Sequence, residues 1–345
     1  MLEFSHGGDV NGFAKQLGCC VSEVIDLSSN INFLKPNIAV NFNALSIDSY
    51  PNYDKLYDAV AQNYAIQASQ MELFNGGSSA IFSLFSFLKT KGYERCTIYS
   101  PAYLEYKKAA QTFDYHLKHI NRLESIGQMV LPNSLVVFVN PSTPDGALYE
   151  LEDFLDEWLE KKCVVLIDES FLDFTNAKSA TQFLDQYPNI FILKSLTKFY
   201  SSAGIRVGAM ISNKSNIEQF QAIQPAWKIS QFDSSYIQEA LKDTKFKTIT
   251  KAVNAKNTLL LNNVLEESLL FEKVFTTSAN YILAKLKNID AQTLQKYLSH
   301  HKIMIRDCTN FDGLDETYVR IAVKSEQSIK RFKKALQRVA QKSIS

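Results

Sequence analysis

The chain alternates between two textures. Residues 135–139, 164–167, 190–193 and 207–211 form short apolar runs, and residues 96–99 form a similar one. Runs of this length, rich in Val, Ile and Leu, read as strands buried on both faces. Between them apolar residues recur at helical spacing, as at Leu56, Val60 and Tyr64, and residues 81–88 read as a buried helix. Strands alternating with helices predict a mainly parallel sheet covered on both sides, an α/β fold. Beyond residue 213 the texture changes. Gln224-Pro225-Ala226-Trp227-Lys228 reads as an inter-domain bend, followed by one long helix over 234–265. Short strands then follow near 273–276, 279–283, 303–306 and 318–323, with a helix near 291–298. A last helix carries Ile329, Phe332, Leu336 and Val339 on one side and a solvated basic face on the other. The expected organisation is an N-terminal arm (1–45) joining the site to the small domain, a large domain (46–230) and a small α+β domain (231–345).

Each apolar run stops at a polar cluster. Tyr103 follows the run at 96–99, Asn140 and Thr143 follow 135–139, and Asp168 closes 164–167. Ser195, Thr197 and Lys198 follow 190–193, and Arg206 stands between Gly204 and Gly208. Ligands of open parallel sheets bind beyond the carboxyl ends of the strands, so these residues converge on one edge. A lysine beside a buried strand loses hydration and basicity, which leaves an amine able to attack a carbonyl. Arg206 offers a planar fork to a phosphate. Asn75-Gly76-Gly77-Ser78-Ser79 opens a helix, where unpaired N–H groups and the helix dipole suit the same anion. Taken singly, these signals have plainer readings. Asp168 would serve equally as a helix cap or ion-pair partner, Gly77 and Ser78 as an ordinary helix start, and Tyr50 as a packing residue. His6-Gly7-Gly8 reads as a turn, or as an arm whose imidazole meets an anion. Asn30 and Asn32 lie in a stretch too polar for a strand core, as loop residues or ligands. Arg306 and Arg320 sit in or beside apolar strands and need an anionic partner from the protein or from a ligand.

Composition narrows the classes. The 345 residues suffice for one large and one small domain, and the formal net charge of +1 gives no electrostatic case for nucleic acid. No apolar run approaches the roughly 18 residues of a membrane span. The five cysteines show no metal-ligand spacing, and Cys19 and Cys20 are adjacent, so no metal site is expected. With no secretory leader, the expectation is reduced thiols and a cytoplasmic location.

The order Ser195-x-Thr197-Lys198, then Gly204-x-Arg206-x-Gly208, resembles the Schiff-base segment of pyridoxal-phosphate enzymes of the aspartate-aminotransferase fold. The resemblance covers nearly the whole chain. It places the chain near the fold-type-I branch that holds histidinol-phosphate aminotransferase and L-threonine-O-3-phosphate decarboxylase. The decarboxylase pattern is the nearer one at His6-Gly7-Gly8, at Ser28-Ser29-Asn30-Ile31-Asn32 and at Asp168-Glu169-Ser170-Phe171. It is also nearer at Ile305-Arg306-Asp307-Cys308-Thr309-Asn310-Phe311-Asp312-Gly313-Leu314.

The resemblance implies pyridoxal 5'-phosphate bound to Lys198 as a Schiff base, with Asp168 on the pyridine nitrogen and Tyr103 stacked on the ring. Gly77, Ser78, Ser195 and Arg206 would hold the cofactor phosphate, joined by Tyr50 from a second copy in a homodimer with shared sites. Arg320 would take the substrate carboxylate, and His6, Asn32 and Arg306 its other anionic groups. Two positions depart from the aminotransferase pattern. Thr143 stands where an asparagine reaches the ring hydroxyl, and Phe171 where a tyrosine does. The implied function is decarboxylation of a small phosphorylated amino acid, threonine or serine phosphate, as in cobalamin side-chain synthesis or glycan decoration. Transamination of the histidinol-phosphate type is the alternative, and a catalytically altered binding protein a second.

Overall fold

The computed structural model describes residues 7–343. After helix α1 (Val10–Leu17) the chain forms a two-residue strand, β1 (Ile25–Asp26), then runs without regular structure, apart from a single turn, to α2 (Asp54–Tyr64). The large sheet is built from β2 (Met71–Phe74), β3 (Arg95–Ser100), β4 (His116–Asn121), β5 (Ser134–Val139), β6 (Val164–Asp168), β7 (Ile190–Ser195) and β8 (Gly208–Ile211). Between its strands run α3 (Gly76–Thr90), α4 (Leu104–Thr112), α5 (Arg122–Ser125), α6 (Glu152–Glu160) and the single turn α7 (Leu196–Phe199). The strand order is β2-β8-β7-β6-β5-β3-β4. The five strands β3 to β7 are parallel, and β8 runs antiparallel to both β7 and β2.

The reversal at β8 shapes the site. The connection from β7 to β8 carries only a one-turn helix, too little to return the chain for a parallel pairing. Ser195 instead pairs with Gly208, so both ends of the segment carrying Lys198 and Arg206 lie at the carboxyl end of β7. Phe74 pairs with Gly208 as well, which delivers the start of α3 to the same edge. A Cβ on Gly208 would stand 2.9 Å from the Gly77 nitrogen and 3.0 Å from the Gly76 carbonyl carbon, so only glycine permits this approach.

The sheet separates two apolar layers. Tyr99, Phe138, Trp158, Ile167 and Ile192 belong to one, and Leu84, Phe85, Ile98, Val137, Leu166 and Leu193 to the other. Each of these aliphatic side chains, fully withdrawn from water, contributes roughly 1.5–3 kcal/mol.

Beyond α8 (Lys214–Gln221), the expected single long helix is two: α9 (Gln231–Lys242) and α10 (Thr244–Glu266). Asp243 breaks it, its carboxylate accepting from the Phe246 N–H at 3.1 Å as the cap of α10. Ile237 and Ala240 of α9, with Phe246, pack into the large-domain core. The small domain adds β9 (Phe271–Val274), β10 (Tyr281–Leu286), α11 (Ala291–Ser299), β11 (Ile303–Met304), β12 (Arg306–Asp307), β13 (Tyr318–Ala322) and α12 (Glu326–Ser343). Its antiparallel sheet has the order β12-β13-β10-β9. Ile25 pairs with Ile303, and Ile25 and Leu27 enter the small-domain core, so the N-terminal segment is bound to that domain. No helix among the described residues is long and apolar enough to cross a membrane, and none of their His, Cys, Asp and Glu groups could hold a metal ion.

Candidate active site

A cleft of about 380 Å³ opens at the carboxyl edge of the large sheet, between the two domains. Its walls carry Gly77, Ser78, Tyr103, Thr143, Asp168, Phe171, Ser195, Lys198, Arg206, Arg306 and Arg320, all singled out in the sequence. Gly7, Gly8, Asn30 and Thr197 line it as well. Among the described lining residues four are cationic (Lys198, Arg206, Arg306, Arg320) and Asp168 alone is acidic. Such a cleft favours a ligand carrying several negative charges.

Lys198 sits on α7, directly after β7. Burial, then Arg320 and Arg206, push its ammonium down to about 8, against the opposing pull of Asp168. An appreciable fraction of the amine is therefore unprotonated near neutrality, as a nucleophile requires.

Asp168 and Glu169 are adjacent on or beside β6 and point to opposite faces, as extended backbone dictates. Glu169 pairs with the buried Lys194 and leaves the cleft. Asp168 faces into it, with Oδ2 accepting from the Tyr106 hydroxyl at 2.5 Å and Oδ1 from the Ser170 N–H at 2.8 Å. Burial raises its pKa, while these donors and Lys198 pull it down. Tyr106 was not singled out in the sequence. The readable signal is its position three residues after Tyr103, which on a helix start gives both rings one side. The two rings meet edge to face at 6.1 Å.

The start of α3 forms an anion cradle. Gly76 has φ +79°, and a Cβ there would lie 2.4 Å from Arg206 Nη2. Ser78 Oγ lies 3.2 Å from the Tyr103 hydroxyl, and Ser195 and Thr197 share a hydroxyl hydrogen bond of 2.8 Å. Arg206 donates through Nη1 to the Ala203 carbonyl at 2.9 Å, which sets its fork across the mouth of the cradle.

The opposite wall belongs to the small domain. Arg320 donates from Nη1 to Thr143 Oγ1 and from Nη2 to the Ser28 carbonyl, each at 3.1 Å. Its buried Nε has no hydrogen-bond partner among the described residues. Arg306 is buried, donates from Nη2 to Asn310 Oδ1 at 2.7 Å and lies 5.2 Å from the centre of the Phe311 ring. The loop that carries Phe311 is tied to the large domain through Lys107 and Asp312 at 3.0 Å. Phe171 meets Tyr281 edge-on at 4.9 Å and presents no donor.

One expected residue, Asn32, is not brought to the cleft, and Tyr50, expected from a second copy, lies outside it. Asn32 is buried beneath it, with Nδ2 donating to the Phe199 carbonyl at 2.8 Å and Oδ1 accepting from the Leu34 N–H at 3.1 Å. Asn30, two positions back, lines the cleft, with a buried Oδ1 that has no partner among the described residues. Tyr50 is 74% exposed and stacks on Trp227 with ring centres 4.0 Å apart. His6 lies outside the described residues.

An amine of lowered basicity, a buried carboxylate and a helix-start anion cradle, all at one sheet edge, define an enzyme site built around a phosphorylated carbonyl cofactor. Residues 22–339 match the family described as aminotransferase class I and II, and the chain belongs to it. The chain is similar to threonine-phosphate decarboxylase of Salmonella typhimurium, 28% identical over 98% of this chain and 97% of that protein. It is also similar to histidinol-phosphate aminotransferase of Methanocaldococcus jannaschii, 25% identical over 94% and 92%. Among solved structures it matches the histidinol-phosphate aminotransferase of Clostridium acetobutylicum, with a TM-score of 0.81 and 27% identity, over 92% of this chain and 100% of that one. Family membership makes pyridoxal 5'-phosphate the cofactor. The cleft fits it: a glycine-lined helix start facing Arg206 matches a phosphate, and the buried Asp168 matches a protonated ring nitrogen.

Proposed function

We propose that this chain is a pyridoxal-phosphate-dependent carboxy-lyase acting on a small O-phospho-amino acid, threonine or serine phosphate, and releasing a phosphorylated amino-alcohol. The carrying observation is the pair of arginines, Arg306 buried and Arg320 half-buried, on the wall facing Lys198. Two forks beyond Arg206 provide for two substrate anions, a carboxylate and a phosphate, in addition to the cofactor's own.

In this reading Gly77, Ser78, Ser195, Thr197 and Arg206 hold the cofactor phosphate, Asp168 the ring nitrogen and Tyr103 the ring face. Lys198 supplies the amine. When bound, the cofactor would supply an electron sink for the bond broken at the substrate's α-carbon. Choice of reaction then rests on how the protein pins the substrate. Arg320, tied to Thr143 and to Ser28, holds the carboxylate in one direction, and Arg306 with Asn30 holds the phosphate. Phe171 and Thr143 leave the ring oxygen with fewer donors than the aminotransferase pattern supplies. The likeness to threonine-phosphate decarboxylase supports the same reading.

Transamination of the histidinol-phosphate type is the second reading, favoured by the likeness to the Clostridium acetobutylicum enzyme. We infer a homodimer, with Tyr50 reaching the cofactor phosphate of a second copy. The exposed aromatic pair Tyr50 and Trp227 supports this. The test is incubation with threonine phosphate, serine phosphate, histidinol phosphate and unphosphorylated threonine. Phosphorylated amino-alcohol from the first two, with threonine a poor substrate because its remote binding energy is absent, supports the proposal. Keto product with conversion of the cofactor to its amine form supports the second reading.

A further inference from the structure

Residues 28–32 cross between the domains, and the small domain holds three of their carbonyl groups. The Ala322 N–H donates to the Leu27 carbonyl just ahead of them at 2.8 Å. Arg320 donates to Ser28 at 3.1 Å, Asn280 Nδ2 to Asn30 at 2.9 Å and Lys324 Nζ to Ile31 at 2.8 Å. The far end of this strap grips the lysine-bearing turn. The Asn32 N–H donates to the Lys198 carbonyl at 3.0 Å, and its Nδ2 to the Phe199 carbonyl at 2.8 Å. Nδ2 also lies 3.4 Å from Thr250 Oγ1. A four-residue helix cannot satisfy its own terminal carbonyls, and Asn32 satisfies two of them. Every polar group on the Asn32 side chain is thereby engaged by protein, which leaves none to meet a substrate.

We propose that Asn32 is a positioning residue for Lys198, and that residues 28–32 form the strap through which the small domain sets the direction of the lysine-bearing turn. The residue that donates to Ser28 at the head of the strap is Arg320, which also faces the cleft. Seating an anion on Arg320 therefore acts, through a short covalent path, on the backbone that aims the Lys198 amine. The inference rests on Lys198 as the cofactor-bearing residue and is independent of which reaction follows.

The test uses the full-length apoprotein. Lys198 is labelled with pyridoxal and borohydride across a pH series, and the modified peptide is mapped. Arg320, Arg206 and Asp168 face the amine, and burial and the two arginines hold its ammonium down at about 8, the value the wild-type labelling midpoint should report. Asn32→Ala removes the side-chain grip, and Asn32→Leu keeps the bulk while removing the Nδ2 donor, neither adding charge. Asn280→Ala releases the strap at the Asn30 carbonyl without replacing any residue that touches Lys198 or lines the cleft, and it changes no charge. Freed from its grip, the turn admits water to the amine, so all three variants should move the midpoint upward, with Asn280→Ala moving it least. In the holoenzyme, kcat should fall by ~10- to 100-fold, the scale of a misplaced reacting group, while KM stays nearly constant. Loss of thermal stability with the midpoint unmoved would reduce Asn32 to a structural residue and overturn the proposal. A raised KM with kcat and midpoint unchanged would overturn it in favour of a substrate contact. Label on a lysine other than Lys198 would overturn the cofactor assignment, and this inference with it.

Discussion

The hydroxyl of Tyr106 is the shortest contact to Asp168, at 2.5 Å, and both side chains are buried. Tyr106→Phe deletes this one donor and keeps the ring that fills the site. A hydrogen bond to a charged group is worth roughly 1.5–3 kcal/mol. Because Tyr106 donates to the carboxylate, it stabilises the ionised form, and its loss raises an Asp168 pKa that burial already holds above the ordinary value. A carboxyl group with a raised folded-state pKa contributes stability below its unfolded-state pKa and loses it as pH rises through the folded one. The destabilisation by Tyr106→Phe should therefore be small in acid and grow toward neutral pH, reaching roughly 1.5–3 kcal/mol. Urea unfolding of the apoprotein at several pH values measures this directly. In the holoenzyme a weakened Asp168 carboxylate supports the ring nitrogen less well, so kcat/KM falls by ~10- to 100-fold and its acid limb moves upward. An equal loss of stability at every pH would show that Tyr106 acts only by packing, and would refute the assignment.

Lys198→Ala should keep the fold and abolish turnover, because alanine has no amine, and activity within tenfold of wild type (about 1.4 kcal/mol) would contradict the role. Mixing Lys198→Ala chains with Tyr50→Phe chains, each nearly inactive, should restore part of the activity through shared sites. A monomer by light scattering removes that expectation. Gly208→Ala forces a methyl group against the Gly76 and Gly77 backbone, and overpacking of this kind costs roughly 1–3 kcal/mol. Because the displaced backbone starts the anion cradle, affinity for pyridoxal phosphate should fall along with the unfolding midpoint. An unchanged affinity would separate Gly208 from the cradle.

The parallel core was readable because its strands are unbroken runs of Val, Ile and Leu, and each stops at a polar residue that the structure brings to the cleft. Two strands of the same sheet carried no such signal. β2 holds Glu72 in a buried position, paired with Lys228 and accepting from the Tyr57 hydroxyl at 2.8 Å. β4 is an edge strand whose His116, Lys118 and His119 obey no strand alternation. The helix break at Asp243 was hidden because a cap residue inside a helical pattern looks like any polar helix position until its hydrogen bond is seen. That Lys198, Asp168 and Arg206 would meet at one sheet edge was legible from residue type and spacing. The exchange between Asn30 and Asn32 was not. Both amides lie in one polar stretch, and only the three-dimensional path shows that one lines the cleft while the other grips the turn beneath it. Tyr106 escaped for a related reason, since its role is set by the carboxylate it meets and not by any neighbour in sequence.

The central claim, that substrate anions pinned by Arg306 and Arg320 direct loss of the carboxyl group, is tested most directly by following that carbon. Threonine phosphate labelled with 13C at the carboxyl position is incubated with the holoenzyme and observed by carbon NMR. Decarboxylation transfers the label to bicarbonate and leaves an unlabelled phosphorylated amino-alcohol. Label retained in a phosphorylated keto acid, with the cofactor converted to its amine form, would contradict the claim.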